Sequence, residues 1–250
     1  MDLCIDIGNT RTKIAVFDKH QITHFEVCQD LPTCLEWQKK PFYGQIKRVI
    51  WSSSGKDASD LGLCFRDLSF VTELTHQTKL PFENRYATPH TLGKDRIAGV
   101  AGAWRGVFLQ QETAPMLVID AGTCITFDFI DAQGVYWGGG ISPGIQMRFR
   151  ALHTFTQRLP LLEMNTPILP NFLTGNTTQN AILSGVLNGI VAEIDGIIDQ
   201  YTGQYSGLKV VMTGGDLPFF EGSLKRPTFA VPLLVLEGLH KILLHNATAS

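Results

Sequence analysis

Asp6, Gly8, Asn9, Thr10 and Lys13 stand close together in LCIDIGNTRTKIAVFD, residues 3 to 18. An apolar run ends in an acid, turns at a glycine flanked by short polar residues, and resumes its apolar alternation from Ile14. That pattern predicts strand, polar turn, strand. Such a turn suits a phosphate chain, because Gly8 permits close backbone approach, the turn N–H groups point outward and Lys13 brings positive charge. Asp6 at a strand end suits a magnesium ion held mostly through water. The segment is not a P-loop: G-x-x-x-x-G-K-[ST] is absent and a strand, not a helix, is expected to follow. Taken alone, an ordinary tight hairpin with a buried acid reads the same way.

A second copy shifts that balance. LVIDAGTCITFDFID, residues 117 to 131, repeats the apolar run, Asp120, Gly122, Thr123 and the alternating strand, one residue shorter in the turn. Two such hairpins facing one cleft would present two acids and two phosphate-cradling turns, the layout of a two-lobed phosphotransfer site. Asp95 and Arg96 open a predicted helix, DRIAGVAGAW (95 to 104). There Asp95 is either a carboxylate favoured by the helix dipole or a general base on a rigid mount. Arg96 could grip a substrate carboxylate through two parallel hydrogen bonds. Gly138, Gly139, Gly140 and Gly144 call for close backbone approach or positive φ, whether for a ligand or for tight packing, and the TGGD run at 213 to 216 reads as a strand entering a Gly-Gly turn of the nucleotide-cradling kind.

These residues need a frame. QITHFEVC (21 to 28) alternates and reads as a third strand. LPTCLEWQKK suits a short helix with Leu35 and Trp37 inward. RVIWSSS (48 to 54) and LSFVTEL (68 to 74) read as buried strands on either side of a helix-compatible segment at 56 to 61, which implies parallel pairing. Residues 75 to 94 read as a long ordered loop anchored by Leu80, Phe82 and Tyr86, and long ordered loops are usually functional. The Ala and Gly content of 95 to 104 lets another element pack close. A lobe boundary is expected near Gln110 to Pro115, dividing the chain into residues 1–112 and 113–250. From Ile182 to Ile198 apolar residues recur at helical spacing around a wide face, enough to cover a partner subunit as well as the domain. LKVVMTGGD (208 to 216) reads as a buried strand, and residues 232 to 245 as an amphipathic helix.

With 250 residues, 44% hydrophobic and 18% charged, the chain can bury a substantial core and form two small domains. The net charge is −2, and Lys and Arg form no dense block, so no nucleic-acid footprint is expected. Five cysteines, an odd number with no C-x-x-C pair, fit reduced cytosolic thiols and point away from zinc. The first strand begins at once without a basic region or cleavage site, and no apolar run reads as long enough to span a bilayer, so the expected location is cytoplasmic, with no membrane partner.

Five motifs in order carry a resemblance: D-x-G-N-T-x-x-K at Asp6 to Lys13, G-x-D-R at Gly93 to Arg96, D-x-G-T at Asp120 to Thr123, GG-I-x-PG at Gly139 to Gly144, and T-G-G-D at Thr213 to Asp216. Together they resemble type III pantothenate kinase, a branch of the acetate and sugar kinase, Hsp70 and actin superfamily. The resemblance implies an α/β chain of two RNase H-like lobes, each a mixed β-sheet flanked by helices in the duplicated actin and Hsp70 manner. It implies an enzyme that phosphorylates pantothenate with Mg-ATP, opening coenzyme A synthesis. Asp6, Ile7, Gly8, Asn9, Thr10, Arg11, Thr12 and Lys13 match the first phosphate loop. Thr123 matches an ATP contact, and Asp120 a ligand of a monovalent cation, K⁺ or NH₄⁺. Asp95 matches the general base. Tyr86, Gly93, Lys94, Asp95 and Arg96 match the pantothenate pocket, and Thr178 a threonine given to that pocket by the other subunit, implying a homodimer. The chain departs from the family's usual pattern at Thr88-Pro89, Ile97-Ala98-Gly99 and Cys124, which bears on pocket detail more than on reaction class. Two other readings remain at this level: a nucleotide-sensing regulatory relative, and a kinase of another small hydroxyl substrate.

Overall fold

The computed structural model describes residues 1–8, 10–54, 58, 60–104, 113–163 and 168–247. The chain divides into two compact units. The first comprises Met1–Gly106, Gly134–Tyr136 and Leu233–Ser250; the second comprises Val107–Gln133 and Trp137–Pro232. The boundary expected at 112–113 falls at the edge of residues 105–112, which lie outside the described residues. The C-terminal helix, placed in the second lobe by sequence order alone, belongs to the first unit.

In the first unit, β1 (Asp2–Ile7), β2 (Thr12–Asp18), β3 (Gln21–Cys28), β4 (Arg48–Ser53) and β5 (Phe70–Glu73) form a sheet of order β3-β2-β1-β4-β5. β1 runs antiparallel to β2, β2 antiparallel to β3, and β1, β4 and β5 are parallel. Every residue of the central β1 is buried, whereas the edge strand β3 alternates between exposed and half-buried, as one covered face predicts. A further two-residue strand, β6 (Glu83–Asn84), pairs in parallel with Val135 and Tyr136.

One face of the sheet carries α1 (Cys34–Gln38) and α2 (Asp60–Cys64) around a core of Trp37, Leu61 and Phe65 with Leu3, Ile5 and Ile7. Thr33 caps α1 through a reciprocal capping box with Glu36. Trp37 is fully buried as expected, but Leu35 is 69% exposed. Two positions apart on a helix do not share a face, and the larger ring takes the inward place. Cys34 and Cys64 form a disulfide, with Cα atoms 5.0 Å apart, which overturns the expectation of free thiols for this pair. Thirty residues separate them in sequence, so only the fold brings them together.

Two further helices, α3 (Lys94–Ala103) and the C-terminal one (Leu234–Ala247), pack together in this unit. Their backbones nearly touch: a Cβ on Gly238 would lie 1.7 Å from the Ala98 carbonyl oxygen, and one on Gly102 would lie 2.3 Å from that of Leu234. Lys241 donates to the Gly102 and Trp104 carbonyls at 2.7 and 3.1 Å, capping the end of α3. Burial pushes its ammonium down to about 8.

His240 and Arg48 converge on the buried Asp2, with His240 Nε2 3.0 Å and Arg48 Nη2 2.6 Å from Oδ2. Burial pushes the Asp2 carboxyl up, but hydrogen bonds and charge from His240 and Arg48 outweigh it and hold the group at about 2. A depressed carboxylate contributes stability that is present above the unfolded value of 3.8 and lost as pH falls through 3.8 toward 2. Discounted for the solvent exposure of Arg48, that contribution is on the order of 1–2 kcal/mol. Asp2→Asn is therefore expected to flatten the fall in urea-unfolding free energy over that window; an unchanged slope would show that Asp2 is not its source.

The second unit repeats the plan. β7 (Met116–Ala121), β8 (Cys124–Ile130), β9 (Val135–Pro143), β10 (Lys209–Thr213) and β11 (Phe229–Ala230) follow the order β11-β10-β7-β8-β9. β7 is antiparallel to β8 and parallel to β10, which is parallel to β11. Each unit thus has a central first strand with a hairpin partner on one side and parallel strands on the other. Helices α4 (Ile145–Thr154), α5 (Thr178–Leu183), α6 (Gly189–Gln204) and α7 (Leu217–Phe220) surround a core of Leu117, Ile119, Phe127, Phe149, Ile190 and Ile194. The C-terminal helix is α8.

α5 and α6 join through a π-helical turn, Ser184–Asn188, into one run from Thr178 to Gln204. By length and composition this run could cross a membrane, its best window having a mean hydropathy of 1.6, which corrects the expectation that no segment is long enough. Ile182, Val186, Ile190, Ile194 and Ile198 are buried in the unit's own core, the ordinary reason for an apolar helix in a folded domain.

Candidate active site

The first hairpin turn follows β1. Gly8 N–H donates to the Arg11 carbonyl at 3.1 Å, closing the turn, and Asp6 stands opposite Lys13 in the antiparallel register. Thr10 and Arg11 are exposed, Lys13 is half-buried, and Ile7 and Thr12 are buried. Asn9 lies outside the described residues. Asp6 is buried, and its Oδ1 accepts from Ser52 Oγ at 2.9 Å across the parallel β1–β4 register. Burial pushes the Asp6 carboxyl up; Ser52 and Lys13 oppose that, and the charge of Asp95 adds to it. Lys13 and Asp95 are thus each within electrostatic range of Asp6. Sequence reasoning missed Ser52, although its place at the carboxyl end of a parallel strand beside β1 is where ligands of open α/β sheets gather.

Asp95 sits in the first turn of α3, its Oδ1 accepting the Arg96 backbone N–H at 2.9 Å. Gly93 lies close against it: a Cβ there would lie 2.5 Å from Asp95 Oδ1, so a side chain at this position would displace the carboxylate. Lys94 Nζ binds Glu73 Oε1 at 2.6 Å, tying the start of α3 to the end of β5. Glu73 is a second residue that sequence reasoning missed. Arg96 is buried, with its guanidinium carbon 5.7 Å from the centroid of Tyr86, an arrangement of the cation–π kind. The Tyr86 ring stacks on Tyr136 at 6.3 Å, and Phe82 meets Tyr136 edge-on at 6.1 Å, so the 75–94 loop is anchored by aromatic contacts as expected. Tyr136 is the third missed residue; its GVYWGGG context carries only a strand signal.

In the second unit, Asp120 is half-buried near the end of β7, between the buried Ile119 and Ala121, and Thr123 is exposed at the turn. Glycines press close on that turn. A Cβ on Gly144 would lie 2.0 Å from the Gly122 carbonyl oxygen, and one on Gly214, whose φ is +104°, would lie 2.2 Å from that of Ala121. Asp216 N–H donates to the Ala121 carbonyl at 2.9 Å, and burial pushes the Asp216 carboxyl up. Gly139 presses on β8 instead, where an added Cβ would lie 1.7 Å from the Phe127 carbonyl oxygen. Asp120 faces Thr213 in the parallel register, as Asp6 faces Ser52 in the first unit. The duplication thus extends to a hydroxyl residue beside each turn acid.

Thr178 is exposed at the start of α5, where Thr177 Oγ1 accepts the Asn180 N–H at 3.1 Å as the helix cap. It borders a cavity of about 670 Å³ shared with Arg148, Leu152, Ile182, Gly185 and Val186. The 171–175 segment is pinned to the π turn by Ser184 Oγ donating to Leu173 O and Asn188 Nδ2 donating to Phe172 O at 2.5 and 3.1 Å. π turns of this kind are frequent at functional sites.

The residues fit a magnesium nucleotide. Asp6 is a buried carboxylate whose charge is penalised by burial, which a nearby cation would relieve. Among the described residues no cluster of three acidic, His or Cys side chains forms a ready metal cage. Magnesium held by one carboxylate, waters and substrate phosphates needs none.

A central strand, its hairpin partner and parallel neighbours, built twice, define the sugar-kinase, Hsp70 and actin class of phosphotransfer fold. A glucokinase from an Antarctic psychrotroph shares it with a TM-score of 0.53 at 13% identity, covering 98% of each chain. A Campylobacter jejuni protein described as a Baf family transcriptional activator matches with a TM-score of 0.62 at 23% identity, covering 98% of this chain and 99% of that one. Within that class, the chain belongs to the type III pantothenate kinase family, whose sequence profile matches residues 2–200. The type III pantothenate kinase of Phocaeicola vulgatus is 41% identical over 249 residues, 98% of this chain and 99% of that protein. The chain is accordingly a kinase that uses ATP and a divalent metal on a small-molecule substrate.

Proposed function

We propose that the chain transfers the γ-phosphoryl group of ATP to the primary hydroxyl of pantothenate, giving 4′-phosphopantothenate, with Asp95 as the general base. The observation that carries this is Asp95 itself: a carboxylate fixed in the first turn of α3 and electrostatically coupled to the phosphate-turn acid Asp6. Phosphoryl transfer asks for positioning and charge neutralisation more than covalent work. Asp6 to Lys13 are assigned to the triphosphate, through turn N–H groups, hydroxyls and the Lys13 ammonium, and Thr123 is assigned to an ATP contact. Asp6 would hold a magnesium ion, which when bound would shield the phosphate charge. Asp95 orients the attacking hydroxyl and takes its proton. Tyr86, Gly93, Lys94 and Arg96 form the pantothenate pocket, with Glu73 holding Lys94 and Tyr136 backing Tyr86.

Asp120 is assigned to a monovalent cation, K⁺ or NH₄⁺, that offsets phosphate charge. In a coupled ADP-release assay with Mg-ATP, pantothenate-dependent turnover is expected in potassium and is expected to collapse when sodium replaces it. Equal turnover in both salts removes the cation from Asp120, and none in potassium with ATP binding intact removes pantothenate as substrate. Thr178 is assigned to the pocket of a second subunit in a cytoplasmic homodimer; its exposure at the start of α5 supports this. Mixed dimers of Asp95→Asn and Thr178→Val chains should then recover part of the activity that each variant lacks alone. No recovery would sink the cross-subunit assignment.

A further inference from the structure

We propose that Cys34 and Cys64 are a reversible dithiol–disulfide site that sets nucleotide affinity through α2. Both cysteines are half-buried, within reach of a small dithiol. They join two five-residue helices, too short to be stable alone and dependent on docking for their structure. α2 has two positions open to it, docked with the bridge closed or loosened with the bridge open.

The docked position is connected to the phosphate turn. Leu61 of α2, Trp37 of α1 and Ala58 pack in one cluster with Ile7, the residue before Gly8. Ser54 N–H donates to the Ile7 carbonyl at 3.0 Å just after β4, the strand whose Ser52 holds Asp6. Release of Cys64 from Cys34 loosens the helix that shares a core cluster with Ile7, and with it the backing of the turn. The proposed phosphoryl transfer uses neither thiol, and disulfides in reducing compartments are commonly transient and regulatory.

The opening step is thiol–disulfide exchange. One thiolate of a dithiol reductant attacks a sulfur of the bridge, forming a mixed disulfide and releasing the other cysteine as thiolate. The second thiol of the reductant then displaces the attached cysteine, leaving two cysteine thiols and the oxidised cyclic reductant, with two electrons and two protons transferred. Closing reverses these steps with a disulfide oxidant such as oxidised glutathione.

The test compares full-length protein treated with oxidised glutathione and with dithiothreitol. Alkylation and peptide mass reads which cysteines are protected, and calorimetry reads binding of a magnesium complex of a non-hydrolysable ATP analogue. Protection of Cys34 and Cys64 only in the oxidised sample is expected, with affinity about fivefold weaker after reduction. Cys34→Ser/Cys64→Ser, which keeps Cys4, Cys28 and Cys124, should bind like the reduced wild type and ignore reductant. Labelling of both cysteines in the oxidised sample overturns the site, as does a double variant that still responds to reductant. Equal affinity in the two states overturns the coupling. The nucleotide effect rests on the kinase reading, and the two failures are separable: no nucleotide binding in either state overturns that reading along with the coupling, whereas the protection pattern judges the bridge by itself.

Discussion

Asp95→Asn is expected to lower kcat by about 10²- to 10⁴-fold while ATP and pantothenate bind nearly as before. The substitution is mild on the fold. Asn keeps the Oδ1 acceptor that takes the Arg96 N–H at 2.9 Å, so the first turn of α3 retains that hydrogen bond. What it removes is the basic lone pair, a loss of about 3–5 kcal/mol of transition-state stabilisation. It also removes a negative charge that raises the Asp6 carboxyl, so Mg-ATP binding should hold or tighten. A kcat within about tenfold of wild type would mean that Asp95 is only a first-turn carboxylate favoured by the helix dipole. Asp6→Asn would then be the variant to examine, since Asp6 is the rival base on the same unit.

Gly238→Ala is expected to destabilise the chain by about 3 kcal/mol, with a fall in Tm of about 6–12 °C. The added methyl would lie 1.7 Å from the Ala98 carbonyl oxygen and 2.7 Å from the Gly102 nitrogen, both backbone atoms with no rotamer to retreat into. α3 and α8 must separate, and α3 carries Asp95 at its other end, so turnover should fall along with stability. Gly203→Ala in α6 is the control, because nothing lies within 4 Å of its added Cβ. It should be neutral or stabilising by a few tenths of a kcal/mol, from lost chain entropy in the unfolded state. If both variants melt alike, the close α3–α8 contact is not what holds that layer.

The two hairpins were legible because their signals are local: an apolar run, an acid, a glycine turn and a returning alternation lie within one short stretch. Asp95 was legible as the acid at a helix start, and Gly93 as its neighbour, though the reason for that glycine required the carboxylate's position. Ser52 was hidden for the opposite reason. It lies 46 residues from Asp6, and only the parallel register of β1 and β4 brings the hydroxyl to the carboxylate. Glu73 beside Lys94 and Cys34 beside Cys64 are hidden in the same way, by 21 and 30 residues. Leu35 shows a different failure: hydrophobicity marks a helix as half-buried, but in five residues it does not say which apolar side chain points inward.

α8 belongs to the unit that opens the chain, and the bulk of the second unit lies between them in sequence. As the protein leaves the ribosome, β1 to β5 emerge first, without the helix that will cover α3, Asp2 and Phe17. The second unit, apart from the short Gly134–Tyr136 piece, is continuous and can fold as it appears. The first must wait with its α3 face uncovered until the last helix is made. The unit carrying Asp6 and Asp95 is therefore completed after the second unit during synthesis, when α8 arrives to cover α3.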